Sequence, residues 1–236
     1  MSTERRLGVL GGTFDPIHYG HLRAGEAAEQ MLRLDEIRVI PAHDPPHRPV
    51  DPKASTFHRF AMAALAIDGH DTWRLSDAEL TRTGPSYTAH TLRALHTDGW
   101  EPSQIFFILG SDAFAEIATW YDFPAVLDAA NFVVVARPGT TLEAAWERID
   151  PRVGDAAAAV KRTAFHLLDA ETPDVSSTLI RARLNGGLPI EDLVPPAVAR
   201  YIQNHRLYVA GSPEGGHDDS SSAVNDLHGK TERTHG

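Results

Sequence analysis

Cysteine is absent from this chain of 236 residues, which excludes a disulfide framework and a zinc site built from thiolates. No segment approaches the roughly 18 consecutive apolar residues that a membrane-spanning helix needs. The polar start, Met1 to Arg6, also lacks the apolar region of a signal peptide. These absences predict a protein without a membrane span that is located in the cytoplasm.

Positive charge is scarce, since 22 lysines and arginines stand against 32 aspartates and glutamates and leave a net charge of −10. Broad nucleic-acid binding needs a basic surface, so we expect no nucleic-acid partner. The acidic balance does not exclude a small phosphorylated substrate, because a few local donors decide that. It is also compatible with a homo-oligomer.

The length and a hydrophobic content of 42% are typical of one globular domain. The composition changes after Val209, where Gly, Ser, Asp and His dominate and apolar residues become rare. Such a segment cannot bury enough apolar surface to offset the entropy lost on ordering. We therefore expect a folded domain over residues 1–209 and a disordered polar tail over residues 210–236.

Two familiar phosphate-binding loops are missing, the P-loop Gly-x-x-x-x-Gly-Lys-Ser/Thr and the Gly-x-Gly-x-x-Gly of dehydrogenases. Instead, an apolar run at residues 7–10 leads into residues 11–21 (GGTFDPIHYGH), and residues 22–34 favour helix. Paired glycines allow close approach of a ligand, and a helix start offers N–H groups to an anion. His18 and His21 would face that anion from the first helical turn, so the pattern predicts a phosphate site.

Strand-like and helix-like segments alternate along the chain. This alternation predicts an α/β fold with a Rossmann-like, doubly wound parallel sheet and a small C-terminal helical segment. The predicted strands are residues 7–10, 36–41, 72–80 (an edge strand), 104–109, 132–136 and 164–168. The predicted helices between them are residues 57–67, 88–96, 124–129 and 142–149. Ligands bind beyond the carboxyl ends of strands in such folds, which is where the glycine–histidine turn falls.

A second phosphate signature lies late in the chain, at residues 174–181 (DVSSTLIR). Its hydroxyl residues can cap a helix that runs on through Leu184. Ser177 and Arg181 stand four apart, so they share a face near the helix N-terminus and can grip a polyphosphate. An ordinary capped helix with a surface arginine is the alternative, but the presence of the first motif favours phosphate binding.

The motif His18-x-Gly20-His21 together with a late Ser-Ser-Thr-x-x-Arg resembles the nucleotidylyltransferase superfamily. Further segments are similar to bacterial nicotinate-nucleotide adenylyltransferases: PPHR (45–48), RTGPSYT (82–88), GSD (110–112) with Trp120, RPG (137–139), and LVPP (193–196) with Tyr201 and residues 207–208. The resemblance extends from Arg6 to Tyr208. Arg48 departs from the family, which usually has Lys there, so that charge is kept while geometry is not.

The resemblance implies an adenylyltransferase that joins ATP and nicotinate mononucleotide to give deamido-NAD and pyrophosphate, in NAD biosynthesis. The mononucleotide phosphate would attack the α-phosphorus of ATP in line, without a general base, since it is already anionic near neutral pH. Magnesium would be carried by the ATP phosphates, and no dedicated metal site is expected. Nicotinamide mononucleotide or another superfamily substrate is the alternative, and a non-catalytic nucleotide sensor is the more distant one.

The resemblance also assigns roles to individual residues. The expected catalytic residues are His18, His21 and Arg181. The residues expected to bind ATP, besides Arg181, are Gly11, Gly12, Thr13, Phe14, Gly110, Asp112, Arg137, Ser177 and Thr178. The residues expected to bind the mononucleotide are His47, Arg48, Ser86, Tyr87, Thr88 and Trp120.

Five of these positions have a structural alternative, and one histidine of the pair could merely cap or pack in the turn. Phe14 and Trp120 could be core aromatics, and Asp112 could act as a helix N-cap. His47 and Arg48 could be solvated loop charges. Asp15, which follows Phe14 in the first motif, is expected to be a structural turn residue, because the Asp-Pro pair is common in turns.

Overall fold

One sheet of six parallel strands organises the protein in the computed structural model, which describes residues 4–46, 52–136, 151–153, 155, 165–170 and 172–209. The strands are β1 (Leu7–Gly12), β2 (Glu36–Pro41), β3 (Trp73–Leu75), β4 (Ile105–Gly110), β5 (Asn131–Val135) and β6 (Phe165–Leu168). Their order is β3-β2-β1-β4-β5-β6, and each neighbouring pair is parallel. The predicted doubly wound sheet is confirmed, with its order reversing between β1 and β4.

Helices lie between the strands and after β6. Those whose full extent falls within the described residues are α1 (Tyr19–Leu32), α2 (Thr56–Ala66), α3 (Thr88–Thr97), α4 (Ser111–Ala115), α5 (Ser177–Asn185) and α6 (Pro196–Asn204). In the same residues, 3₁₀ turns lie at Pro102–Gln104, Ile117–Thr119 and Ala125–Asp128. Within the described ranges, no helix is long and apolar enough to cross a bilayer.

The central strands are apolar on both faces because helices cover both sides of the sheet. All five residues of β5 and the first five of β4 are buried. Two buried clusters result. One, with Leu10 and Ile108, packs against α1, α2, α5 and α6, and the other, with Val9 and Phe107, packs against α3 and α4.

Several predicted boundaries shift. Helix α1 begins at Tyr19 rather than at residue 22, which places His18 at its N-cap. The edge strand predicted for residues 72–80 is only Trp73–Leu75, because the chain turns at Asp77, whose carbonyl accepts from Leu80 N–H at 2.9 Å. The helix predicted for residues 124–129 is a 3₁₀ turn. The predicted helix at residues 142–149 and the tail at residues 210–236 lie outside the described residues.

A close contact between α1 and β3 makes Gly25 a test of this packing. A Cβ atom on Gly25 would lie 2.4 Å from Trp73 Cη2, and Trp73 is a core side chain. We expect Gly25→Ala to lower the free energy of unfolding by about 1–3 kcal/mol, because overpacking outweighs the better helix propensity of alanine. Urea denaturation measures this change. The exposed Gln30→Ala in the same helix should alter stability by less than about 0.5 kcal/mol, and equal midpoints for both variants would contradict the packing.

Candidate active site

A cavity of about 370 Å³ opens at the carboxyl ends of β1 and β4, where the strand order reverses. This is the place where ligands bind in doubly wound sheets. Seven of the predicted site residues line it: Gly11, Gly12, Thr13, Ser86, Thr88, Asp112 and Trp120.

The glycine turn is shaped by the packing of Phe14. A Cβ atom on Gly12 would come within 2.8 Å of the Phe14 ring, which is 1% exposed in the core. Phe14 is therefore a core aromatic, as its structural alternative states, and the expected contact of its side chain with nucleotide stays a prediction. A backbone contact from Phe14, whose φ is +52°, stays a prediction.

His18 and His21 form a stacked pair at the start of α1. Their ring centroids are 3.7 Å apart, with an angle of 27° between the planes. The backbone N–H of His18 donates to His21 Nδ1 at 3.2 Å. Because that nitrogen accepts, neutral His21 carries its proton on Nε2, which is then a donor.

The lack of space around residue 20, between the two histidines, explains why it is a glycine. A Cβ atom there would lie 3.0 Å from His18 Nδ1 and 3.1 Å from Val175 Cγ1. Val175 belongs to the second predicted phosphate signature. The absence of a side chain at residue 20 therefore lets the two signatures pack together.

Direct hydrogen bonds also join the two signatures, although they are separated by 161 residues. Ser176 caps α5 by accepting from Leu179 N–H, as predicted. Ser177 Oγ donates to the carbonyl of Pro16 at 2.9 Å, and Arg181 Nη1 donates to the carbonyl of Asp15 at 2.6 Å. The N-terminus of α5 is thus docked on the turn that leads into the histidine pair.

Thr178 and Arg181 differ from Ser177 in exposure. Thr178 is exposed, and its hydroxyl accepts from Arg181 Nη2 at 3.3 Å. Ser177 is buried, and its hydroxyl proton is used for Pro16. Phosphate binding by these three residues stays a prediction, with Thr178 and Arg181 the more accessible of them.

Asp15 is a buried structural residue, as predicted. Its carboxylate accepts from the N–H groups of Lys53 at 2.9 Å and Ala54 at 3.1 Å, and from the Tyr208 hydroxyl at 2.9 Å. Burial, and secondarily the charge of Asp15, raise the pKa of Tyr208 well above its usual range. Tyr208 is therefore a neutral hydroxyl donor to Asp15 at any ordinary pH.

Arg59, which the sequence reasoning missed, lies beneath this turn and is 1% exposed. Its guanidinium donates to four carbonyls and one hydroxyl at 2.6–3.2 Å: those of Thr13, Ala42, His43, Ala54 and Thr56. It thus ties the turn after β1 to the end of β2 and the start of α2. The sequence contained a signal for a buried arginine, because Arg59 lies on the same helical face as Met62, Ala63 and Ala66, and that face is otherwise apolar.

The start of α3 forms another wall of the cavity. Ser86 and Thr88 line it, while the Ser86 hydroxyl accepts from the N–H groups of His43 and Asp44. Tyr87 is not among the lining residues, because its ring stacks on Tyr121 with centroids 4.5 Å apart. Tyr87 is the N-cap of α3, and its expected part in binding the mononucleotide, through the N–H groups of this helix start, stays a prediction.

Trp120 and Asp112 lie on the β4 side. Trp120 is half-buried and packs edge-on against Phe107, with centroids 6.0 Å apart, while still lining the cavity. The N-cap of α4 is Gly110, so the N-cap alternative for Asp112 is wrong. A Cβ atom on Gly110 would meet nothing within 4 Å, which leaves room for a ligand beside it.

Glu79 is a second residue that the sequence reasoning missed. It is 7% exposed, lines the cavity and accepts from the Thr91 hydroxyl, and Arg82 Nη2 lies 3.9 Å from its carboxylate. No motif marks it, since a glutamate after a short edge strand is unremarkable in sequence.

Three predicted residues, His47, Arg48 and Arg137, lie outside the described residues. Across the described part of the chain, no three His, Cys, Asp or Glu side chains are grouped so that they could hold a metal ion.

Comparison with known proteins identifies the family. The family model described as cytidylyltransferase-like matches residues 9–183, which makes the chain a nucleotidyltransferase by class. A protein of Synechococcus sp. (strain JA-3-3Ab) named "Probable nicotinate-nucleotide adenylyltransferase" is 40% identical, covering 87% of this chain and 96% of that protein. A protein of the same name from Hydrogenovibrio crunogenus is 40% identical over 88% of this chain and all of its own length. The chain belongs to the nicotinate-nucleotide adenylyltransferase family.

Solved structures share the fold at lower identity. The Plasmodium falciparum nicotinic acid mononucleotide adenylyltransferase, in a complex with NaAD, superposes with a TM-score of 0.64 at 19% identity. The match covers 87% of this chain and 98% of that one. At this identity the likeness supports the Rossmann-like fold.

Arg59 offers a test of how the turn is held. We expect Arg59→Met to lower the free energy of unfolding by about 3 kcal/mol, since buried carbonyls lose their donors. Arg74→Met is the matched control, because Arg74 also donates to carbonyls, those of Asp71 and Trp73, but is exposed. Urea denaturation of both variants decides, and a loss equal to that of the control would show that Arg59 does not support the turn.

Proposed function

We propose that this protein transfers the adenylyl group of ATP to nicotinate mononucleotide, forming deamido-NAD and releasing pyrophosphate. The observation that carries the proposal is the junction of two phosphate signatures at the turn after β1, beside a cavity that contains a tryptophan. The names of relatives whose matches cover 87% and 88% of this chain support the same reaction.

The reaction requires that the two substrates be positioned and that the charge developing in the transition state be stabilised. A phosphate monoester has a second pKa of about 6, so the attacking oxygen of the mononucleotide is already anionic near neutral pH. No general base is required. The protein must bring two anions together in line and stabilise the charge that develops at the α-phosphorus.

The ATP half of the site follows β1 and α5. His21 Nε2, held as a donor by the bond at Nδ1, and His18 would contact the phosphates at the reacting centre. Thr178 and Arg181, with Ser177, would hold the β,γ-phosphates that leave as pyrophosphate. The turn at Gly11, Gly12 and Thr13 would lie along the nucleotide, and Gly110 and Asp112 would receive a ribose, with Arg137 also serving ATP.

The mononucleotide half of the site uses the cavity between β1, β4 and α3. Trp120 would stack on the pyridine ring. The N-terminus of α3, next to Ser86 and Thr88, suits the nicotinate carboxylate because its N–H groups point outward from the helix. His47 and Arg48 would reach the mononucleotide phosphate.

Magnesium would enter with ATP. Arg181, which is bonded to the turn before the histidines, would hold the phosphates that carry the ion. When bound, the ion would offset negative charge on the phosphate oxygens. The lack of cysteine supports a cytoplasmic location. We propose one catalytic domain over residues 1–209, followed by a polar tail. Its partners would be small molecules, and a homo-oligomer is compatible with this function.

Substrate choice tests the proposed site. With ATP and Mg²⁺, we expect nicotinate mononucleotide to be used at least about tenfold better than the nicotinamide form, because a carboxamide cannot satisfy a site made only of donors. Product analysis by chromatography, with pyrophosphate release in parallel, measures both rates. Equal rates would refute the carboxylate site, and ATP binding without turnover would favour a nucleotide sensor.

The histidine pair should carry much of the rate. We expect His21→Ala and His18→Ala each to lower kcat by about 100- to 1000-fold, the usual loss when a donor to transition-state charge is removed. The control is His205→Ala, at the exposed end of α6, which should stay within about twofold. Circular dichroism confirms folding of each variant. Turnover near that of the unmodified protein in both test variants would defeat the assignment.

A further inference from the structure

We propose that Tyr208, near the last of the described residues, positions Arg181 for ATP through the buried carboxylate of Asp15. The inference rests on the proposed function, because it takes Arg181 to bind the ATP phosphates. It adds a positioning residue that lies outside both phosphate signatures.

The Asp15 carboxylate lies between two partners of different charge. Tyr208 donates a neutral hydroxyl to Oδ1 at 2.9 Å, across 193 residues of sequence. On the other side, Arg181 Nη1 lies 3.6 Å from Oδ2 and donates to the Asp15 carbonyl at 2.6 Å. The carboxylate is 2% exposed, so water does little to screen these interactions.

Arg181 therefore has a competing anion beside it. A bound phosphate would have to compete with the Asp15 carboxylate for the guanidinium of Arg181. Each neutral donor on the carboxylate takes up part of its hydrogen-bonding capacity, and so weakens its hold on Arg181. Lys53 and Ala54 contribute two such donors from the backbone, and Tyr208 contributes the third.

The chain after α6 is bent in a way that brings Tyr208 to this position. Arg206 and Tyr208 have φ values of +51° and +66°, in the left-handed region that non-glycine residues seldom adopt. Between them, Leu207 is buried in the core at 5% exposure. Backbone strain of this kind persists where the surrounding structure fixes it, here through the Leu207 side chain and the Tyr208–Asp15 bond.

A purely structural role is the competing explanation, since Tyr208 also packs against the hydrophobic core. Tyr208→Phe separates the two roles, because the ring stays and only the hydroxyl is lost. Tyr201→Phe is the matched control. It removes a hydroxyl of the same type, hydrogen-bonded to His58 Nδ1 at 2.9 Å, on α6.

We expect Tyr208→Phe to raise the KM for ATP about tenfold, because Asp15 then holds Arg181 more tightly. The KM for nicotinate mononucleotide should stay within about twofold in that variant, and both constants should stay so in Tyr201→Phe. In an Asp15→Asn background, Tyr208→Phe should add less than about twofold to the KM for ATP, because the residue acts through the carboxylate.

The outcomes are distinguishable. If Tyr208→Phe lowers the urea midpoint but leaves the KM for ATP equal to that of Tyr201→Phe, or raises both KM values together, the inference is overturned. If the unmodified protein forms no deamido-NAD, the proposed function fails instead. Calorimetric titration of both Tyr→Phe variants with ATP then decides the positioning role, since a lower affinity in Tyr208→Phe alone would support it and equal affinities would overturn it.

Discussion

The candidate site depends on the docking of the α5 N-terminus onto the turn between β1 and α1. Two side-chain-to-carbonyl bonds make this contact, from Arg181 to Asp15 and from Ser177 to Pro16. Both acceptors belong to the turn that is followed by Ile17 and His18. A shift in α5 would therefore move the histidines, and under the proposed function this coupling would keep the two segments in position to bind one triphosphate.

Two buried charged groups hold that turn in place. Asp15 and Arg59 are almost fully excluded from solvent, yet most of their recorded partners are backbone N–H and carbonyl groups. Hydrogen bonds to charged groups are stronger than those between neutral groups. These bonds hold the turn after β1 against the end of β2 and the start of α2.

The sequence predicted much of the fold because its signals were local. The apolar runs of β4 and β5 identified strands buried on both faces, and the Gly-Gly and His-x-Gly-His spacing identified the turn and helix start. The predictions were less accurate where the structure of a segment depends on residues outside it. The edge strand β3 was predicted too long, because a turn at Asp77 follows it.

What the sequence determined by itself was the chemistry and the order of elements: a parallel sheet, a glycine–histidine turn, a capped helix with Ser177 and Arg181, and the family they resemble. Only the tertiary structure decided which polar groups face the cavity and which support it. Phe14 lies in the core, Ser177 donates to the carbonyl of Pro16, and Arg59, Glu79 and Tyr208 have partners that no motif indicates. The physical reason is that a side chain's partner lies across the fold, at separations of 46 residues for Arg59 and 193 for Tyr208, whereas a motif records only adjacent positions.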